Sequence, residues 1–124
     1  MPFVIVADAL DGAPADSNGV TFRLCGPPFA TGTSLPGISL GRGIAVADLD
    51  EDGIADLAMG VVTGVSVALG NGAGGVGDGT FAPPVIYPVV SAITGDIRAV
   101  DLNEDGMLDL VATDYEGIGV LLGQ

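Results

Sequence analysis

A nine-residue acidic stretch, DLDEDGIAD at residues 48–56, returns 53 residues later as DLNEDGMLD at residues 101–109. The two copies lie in matching surroundings, since GIAVADLDEDGIADLAMGVVTGVSVALG aligns with DIRAVDLNEDGMLDLVATDYEGIGVLLG. Self-similarity on this scale is typical of propellers and other repeat arrays. The chain is therefore predicted to consist of repeated units that each carry one acidic loop.

Glycine and proline interrupt the chain every few residues, and the segments between them are rich in Val, Ile, Leu and Ala. No stretch keeps a 3.6-residue period, so short strands joined by turns are predicted instead of helices. The predicted strands are residues 3–8, 20–25, 32–40, 43–48, 56–62, 64–69, 84–90, 97–101, 109–114 and 117–122.

These strands predict an all-β fold, an incomplete β-propeller of about two and a half four-stranded antiparallel blades. Residues 1–124 then form a single propeller fragment, with the acidic loop between the first and second strand of a blade. Residues 1–40 supply a partial blade, 41–92 a full blade and 93–124 another partial blade. Closed propellers need four or more blades, so unpaired edges and an exposed blade face are expected. Such surfaces favour self-association or further blades from a longer chain.

Oxygen-bearing side chains alternate along both acidic loops and can converge on one point. Position 6 of each loop is glycine, which permits the positive φ that a sharp turn requires. Hard cations such as Ca²⁺ take six to eight oxygen ligands, so each loop is predicted to bind one Ca²⁺, giving two sites. A solvated acidic turn is the alternative, and the second copy in the same context argues against it. Positions 1, 3, 5 and 9 are Asp48, Asp50, Asp52 and Asp56 in the first loop and Asp101, Asn103, Asp105 and Asp109 in the second.

The EF-hand is the competing calcium loop, and it fails at a definite position. It requires an acidic residue at position 12 and a helix on either side. Position 12 here is Met59 or Ala112, each within an apolar run of β type. The dockerin loop is excluded for the same reason.

The pattern D-x-[DN]-x-D-G-x-x-D, followed by an apolar strand and then by VSVALGNG, GDGTF and PPVIYPV, resembles the FG-GAP/VCBS repeat family. Members of that family are the blades of integrin-α-like β-propellers. The resemblance covers nearly all of residues 41–124 and, more weakly, 3–40. It implies one Ca²⁺ in each loop, bound by the side chains at positions 1, 3, 5 and 9 and by the backbone carbonyl of position 7. That carbonyl belongs to Ile54 or Met107.

Two departures from the family pattern are visible. Position 4 carries Glu51 and Glu104, where the family has glycine, and both side chains are expected to point outward. The segment GNGAGGVGDGTF is longer than the family's GNGDGTF, which predicts a floppy turn.

Charge and residue inventory exclude several functions. Three Arg, no Lys and no His stand against 16 Asp plus Glu, a formal net charge of −13, so nucleic acid and anionic membranes are not expected as partners. No apolar run approaches the roughly 18 residues needed to cross a bilayer. The start, MPFVIVADAL, has no basic n-region and is not expected to be a signal peptide, which leaves open whether the protein is cytoplasmic or the sequence lacks its export signal. Without a histidine base or a lysine, and with Cys25 read as a buried strand residue, no enzymatic activity is predicted.

Two further motifs are interpreted as structural. Gly70, Gly72 and Gly75 match G-x-G-x-x-G, but VGDGTFAPP follows them in place of the helix that a dinucleotide site needs. Most aromatic residues occupy strand positions that predict a core role. Tyr115, at a tip between two strands, is the one candidate for an exposed ligand contact, although an ordinary turn tyrosine is the favoured interpretation. The aromatic residues are Phe3, Phe22, Phe29, Phe81, Tyr87 and Tyr115.

The sequence thus predicts a calcium-binding propeller module that acts as a structural or binding scaffold. The family resemblance implies cell-surface or extracellular adhesion and recognition, with a protein or glycan ligand left open. Two alternatives remain: a carbohydrate-binding or polysaccharide-enzyme accessory module, and a fragment of a longer propeller without independent activity.

Overall fold

The structure, a computed structural model, describes residues 29, 31–32, 34–36, 41–89 and 93–124. Regular structure in these residues consists of nine β-strands, all within one compact unit, Ser34–Gln124. No helix capable of crossing a membrane occurs in this part of the chain. The strands are β1 (Arg42–Ala47), β2 (Asp56–Val61), β3 (Gly64–Ala68), β4 (Gly70–Ala73), β5 (Val76–Phe81), β6 (Val85–Pro88), β7 (Ile93–Val100), β8 (Asp109–Asp114) and β9 (Ile118–Leu121).

The strands form three antiparallel sheets. The first sheet has the order β1-β2-β3-β6, and the second sheet has the order β7-β8-β9. A separate hairpin of β4 and β5 lies between β3 and β6 in the sequence. Each acidic loop joins the first two strands of its sheet, so the predicted placement of both loops is confirmed.

The second sheet repeats the first in register as well as in sequence. Ala47 pairs with Asp56 in the first sheet, and Val100 pairs with Asp109 in the second. Each pair therefore closes its acidic loop at the same point. Both first strands also contain a register shift near their start.

The hydrophobic core lies between the first and second sheets. Ala58 on β2 and Val65 on β3 pack with Ile97, Leu110 and Ala112 from the second sheet. Ile97 is the largest fully buried side chain in this cluster. Small side chains on the first sheet allow the bulkier ones on the second to approach closely, as a densely packed interior requires.

The all-β prediction is confirmed for the described residues. The predicted strand 109–114 coincides with β8, and the other six predicted strands from residue 43 onward overlap observed ones. The largest boundary difference in these is at β7, which begins at Ile93 instead of residue 97. Predicted strand 32–40 is wrong at residues 32 and 34–36, which are outside any strand. Predicted strands 3–8 and 20–25, Cys25, Phe3 and Phe22 lie outside the described residues.

The predicted floppy turn is wrong. The glycine-rich segment forms the β4–β5 hairpin, whose tip residues Gly74 and Gly75 have φ of 60° and 75°. Two successive positive φ values are the geometry of a two-residue type I′ hairpin turn, which follows the right-handed twist of its strands. The G-x-G-x-x-G glycines thus lie in β4 and its turn, and a strand follows them.

Aromatic residues fill the core less than predicted. Phe29 is 83% exposed and Tyr87, on β6, is 47% exposed, so both core assignments are wrong. Tyr115 lies between β8 and β9 and is 79% exposed, as predicted.

Candidate metal centre

Three carboxylates of the first acidic loop lie close enough together to hold a metal ion. Oxygen atoms of Asp48, Asp50 and Asp56 all lie within 4.8 Å of one another. Carboxylate oxygens are the donors that hard cations such as Ca²⁺ and Mg²⁺ prefer. The residues present therefore fit a divalent cation with an oxygen shell.

Backbone amide groups hold these carboxylates in place. Asp48 accepts hydrogen bonds from the N–H of Asp52 at 3.1 Å and from the N–H of Gly53 at 2.8 Å. Asp50 accepts a longer bond from the Asp52 N–H, at 3.3 Å. An ionised carboxylate has about four lone-pair sites, so each oxygen keeps capacity for a cation after these bonds are made.

Asp52 lies outside the group of three. Its Oδ1 accepts a hydrogen bond from the N–H of Ile54 at 2.8 Å, which closes a tight turn within the loop. Turn formation by an aspartate side chain leaves its second oxygen available in principle. The ligand role predicted for Asp52 remains a prediction.

The second loop reproduces this hydrogen-bond network. Asp101 accepts bonds from the N–H of Asp105 at 3.1 Å and of Gly106 at 2.8 Å, and Asn103 accepts one from the Asp105 N–H at 3.3 Å. Asp105 accepts the Met107 N–H at 2.8 Å. These four distances equal those of the first loop, so the two loops share one backbone conformation.

Position 3 distinguishes the two loops chemically. Asn103 supplies a neutral amide where the first loop has the Asp50 carboxylate, and its Nδ2 donates to Asp105 Oδ2 at 2.9 Å. The second loop therefore has one negative charge fewer at this position. A divalent cation is attracted more strongly by the first loop than by the second on this account.

Position 9 of each loop is a fully buried aspartate that joins distant backbone segments. Asp56 accepts the N–H groups of Leu49 and Gly70, each at 2.7 Å. Charge-assisted bonds of this kind are about twice as strong as neutral ones. They compensate the burial of the carboxylate and fix its oxygens beside those of Asp48 and Asp50.

Asp109 makes the corresponding bonds. It accepts the Leu102 N–H at 2.7 Å and the Gly123 N–H at 2.8 Å, and it is also fully buried. The Gly123 bond lowers the pKa of Asp109, the Leu102 and Asn103 N–H groups lower it further, and burial acts in the opposite direction. The net effect keeps this carboxylate ionised.

Asp50 shows the opposite behaviour. Desolvation raises the pKa of Asp50 above its ordinary value, and the charges of Asp52 and Asp56 raise it further, against the Asp52 N–H bond that lowers it. The loop thus holds a carboxylate whose negative charge is disfavoured by its surroundings. A bound cation would favour the charged form of Asp50 and so offset this effect.

Two positions in each loop have a left-handed backbone. Gly53 and Gly106 have φ of 85° and 92°, which confirms the predicted role of glycine at position 6. Glu51 and Glu104 have φ of 61° and 59° and are exposed, as predicted for their side chains. The strain at these glutamates was missed, although the glycine that the family has at this position was the signal for it.

Position 7 differs between the loops in its surroundings. Ile54 is 7% exposed because the β4–β5 hairpin covers it, with its side chain against Gly70, Gly72 and Gly77. Met107, the equivalent residue, is 37% exposed. The hairpin therefore packs against the first loop at Ile54, a contact that the sequence analysis did not predict.

The structure places the ten predicted ligands in two equivalent loops and brings three of them together as a carboxylate cluster. The carbonyl groups of Ile54 and Met107 remain predicted ligands. No family model, curated protein or solved structure matches this chain.

Proposed function

We propose that this chain is a calcium-binding β-propeller module of the FG-GAP/VCBS type that acts as a structural and binding scaffold. The observation that carries the proposal is the duplication of the acidic loop with its complete hydrogen-bond network. Eight aligned side-chain oxygens, four in each loop, are the proposed ligands together with two backbone carbonyls. Their residues are Asp48, Asp50, Asp52, Ile54, Asp56, Asp101, Asn103, Asp105, Met107 and Asp109.

The sheet arrangement supports the propeller interpretation. The first sheet is a four-stranded antiparallel sheet, and the second repeats its first three strands in the same register. The two sheets pack face to face through a shared apolar cluster. Repeated antiparallel sheets that each bury one face on the next are the building principle of a propeller.

Calcium is the preferred ion on chemical grounds. All proposed ligands are oxygen atoms, and the loop contains no His or Cys that would favour a transition metal. Flexible coordination of six to eight oxygens suits Ca²⁺ better than Mg²⁺, which demands six in near-ideal octahedral geometry. The ion would join the end of β1 to the start of β2 and brace the loop between them.

The engagement of the acidic side chains within the fold supports the proposed scaffold role. The buried aspartates of both loops bind backbone amides, and the remaining acids are arranged around a turn. The family resemblance extends the proposal to adhesion or recognition at a cell surface or outside the cell. A carbohydrate-handling module is the second candidate, favoured by the exposure of Tyr115 and Tyr87, since aromatic faces bind sugar rings.

Calcium titration combined with thermal unfolding tests the metal proposal. We expect the melting temperature to rise with Ca²⁺ and calorimetry to give two bound ions per chain. At a free concentration of 100 times Kd, a single site adds about 2.7 kcal/mol of stability. The double variant Asp50→Ala, Asp105→Ala should lose this response, and each single variant should keep one site.

Glu116→Gln is the matched control, because it removes one negative charge in the turn between β8 and β9, away from both loops. It should keep the full response. Absence of both binding and stabilisation at millimolar Ca²⁺ would contradict the proposed sites. Specific binding on a glycan array, lost on Tyr115→Ala, would support the carbohydrate alternative over adhesion to protein.

A further inference from the structure

The β4–β5 hairpin contacts the first acidic loop at its base and along its face. At the base, the N–H of Gly70, the first residue of β4, donates to Asp56 at 2.7 Å. Along the face, a Cβ added to Gly72 or to Gly77 would lie 2.9 or 3.1 Å from a side-chain carbon of Ile54. Residues without a Cβ let the hairpin lie this close, so the glycines of this segment serve the contact.

The tip of the hairpin reaches the turn of the loop itself. The Cα of Gly75, a tip residue, lies 3.1 Å from the position that a Cβ on Gly53 would take. The backbone oxygen of Asp52 lies 3.9 Å from the corresponding position on Gly75. The hairpin thus contacts positions 5, 6, 7 and 9 of the loop, and three of these are proposed ligand positions.

The second acidic loop provides an internal comparison, because its own hydrogen bonds are the same. The N–H of Gly123 donates to Asp109 as that of Gly70 does to Asp56, so the base contact is common to both loops. A Cβ on Gly106 would have no atom of the described residues within 4 Å beyond its chain neighbours. In the described part of the chain, the contacts along the face and at the tip are therefore found at the first loop alone.

We propose that the β4–β5 hairpin sets the calcium affinity of the first loop by holding its ligand positions together before the ion binds. The inference rests on the proposed calcium sites and adds a determinant that lies outside the ligand set. Carboxylates that converge on one point repel each other in an empty loop, and this repulsion favours opening. A hairpin that contacts four positions opposes the opening, so less ordering is required when the ion binds.

Coupling of this kind acts in both directions. If the hairpin raises the affinity of the first loop for Ca²⁺, an ion in that loop stabilises the hairpin by the same factor. The second loop shares only the base contact, so its ion has less to stabilise. The two sites should therefore differ in affinity by more than the replacement of Asp50 by Asn103 accounts for, and the first should fill at the lower Ca²⁺ concentration.

Shortening the hairpin within the full chain tests the proposal. Gly70 and Phe81 pair across the base of the hairpin, so an Asn-Gly turn in place of residues 71–80 can connect them. The shortened chain keeps the bond from Gly70 to Asp56 and every proposed ligand. It loses the contacts along the face and at the tip, which are the contacts that the second loop lacks in the described residues.

Calorimetric titration with Ca²⁺ measures the effect on each site separately. The Asp105→Ala background leaves the first site, and the Asp50→Ala background leaves the second. We expect shortening to weaken binding on the order of tenfold in the first background and to leave it unchanged in the second. Gly74→Asn is the control and should weaken neither site. A Cβ there meets nothing within 4 Å, and asparagine suits a φ of 60° at this turn position.

Amide exchange in chelator gives a second readout that needs no ion. The N–H groups of Gly53 and Gly106 donate to Asp48 and Asp101 at the same distance, 2.8 Å. Shortening should accelerate exchange at Gly53 and leave exchange at Gly106 unchanged. In the unmodified chain, Ca²⁺ should slow exchange across β4 and β5, because the coupling is reciprocal.

Two outcomes would overturn the proposal and leave the calcium sites intact. The shortened chain binds Ca²⁺ at the first site as tightly as the unmodified chain, or its exchange accelerates no more at Gly53 than at Gly106. If neither loop of the unmodified chain binds Ca²⁺, the proposed function fails and this proposal fails with it.

Cooperative urea unfolding checks that the shortened chain is folded. Gly77→Val keeps the test open if it is not, because this variant presses a side chain onto Ile54 without shortening the chain. It should weaken the first site and leave the second unchanged, and equal affinity at the first site would contradict the proposal.

Discussion

Asp56 and Asp109, 53 residues apart, each join one backbone amide inside their own acidic loop to another amide well beyond it in the sequence. The first amide is seven residues before the aspartate and the second is 14 residues after it, in both repeats. A fully buried carboxylate is tolerated only when such bonds compensate its desolvation. Position 9 is therefore expected to brace the calcium-free fold through these bonds, in addition to its proposed role as a ligand.

The pH dependence of stability should show this role at Asp109. Because the pKa of Asp109 is lowered in the folded state, chiefly by the Gly123 N–H, its contribution is fully present above the ordinary value of 3.8. The contribution is lost as pH falls through the lower folded-state pKa. Urea unfolding in chelator at a series of pH values measures it. Asp109→Asn should be less stable at neutral pH and should lose less stability on acidification than the unmodified chain. If the variant and the unmodified chain lose the same stability on acidification, the stabilising role of ionised Asp109 is contradicted.

Removing the negative charge of Asp50 should have the opposite effect on the free energy of unfolding. Its pKa is raised by desolvation and by the neighbouring carboxylates, so its charge destabilises the calcium-free fold above that raised pKa. Asp50→Asn should therefore increase the free energy of unfolding in chelator and reduce the calcium-induced increase. Urea unfolding with and without Ca²⁺ measures both quantities, and Glu116→Gln shows the effect of removing a remote charge. If Asp50→Asn is less stable than the unmodified chain in chelator, the Asp50 carboxylate stabilises the calcium-free fold and the prediction is contradicted.

Backbone strain at position 4 gives a prediction that involves no metal. Glu51 and Glu104 have φ near +60°, a conformation that costs an L-residue about 1 kcal/mol and costs glycine almost nothing. Glu51→Gly and Glu104→Gly should each raise the free energy of unfolding by up to about 1 kcal/mol in chelator, because the relieved strain exceeds the extra entropy that glycine gives the unfolded chain. Glu51→Gln separates strain from charge, because it removes the charge and keeps the strain. If the glutamine variant gains as much as the glycine variant, the effect is electrostatic.

Local features of this chain were predictable from its sequence because their causes are local. The alternation of oxygen-bearing residues around Gly53 and Gly106 determines a turn whose internal hydrogen bonds span five residues or fewer. The second copy at the same spacing identified the loop as a repeated element. Strand β8 was predicted at its observed bounds, since apolar residues between an aspartate and a turn define it clearly.

Long-range features were not predictable in the same way. Glycine has low strand propensity and no side chain to alternate, so GNGAGGVGDGTF predicted no strands. Its one hairpin signal, the Gly74–Gly75 pair, did not indicate that the hairpin would pack on Ile54. Tyr87 shows a second limit: its strand was predicted, but its exposure to solvent was not. Whether a strand residue is buried depends on which sheet covers that face, and this is decided by contacts far away in the sequence.

In the part of the chain that the structure describes, the β4–β5 hairpin packs on Ile54 but has no counterpart at Met107, so truncating these two equivalent side chains should have different costs. Both occupy position 7, but the glycine-rich hairpin packs on Ile54, which is 7% exposed, whereas Met107 is 37% exposed. Ile54→Ala should reduce the free energy of unfolding by about 2–4 kcal/mol, and Met107→Ala by less than about 1 kcal/mol. Urea unfolding in chelator measures both, and amide exchange at Gly72 and Gly77 should accelerate only in the Ile54 variant. Equal losses in the two variants would mean that the hairpin adds nothing to the first loop.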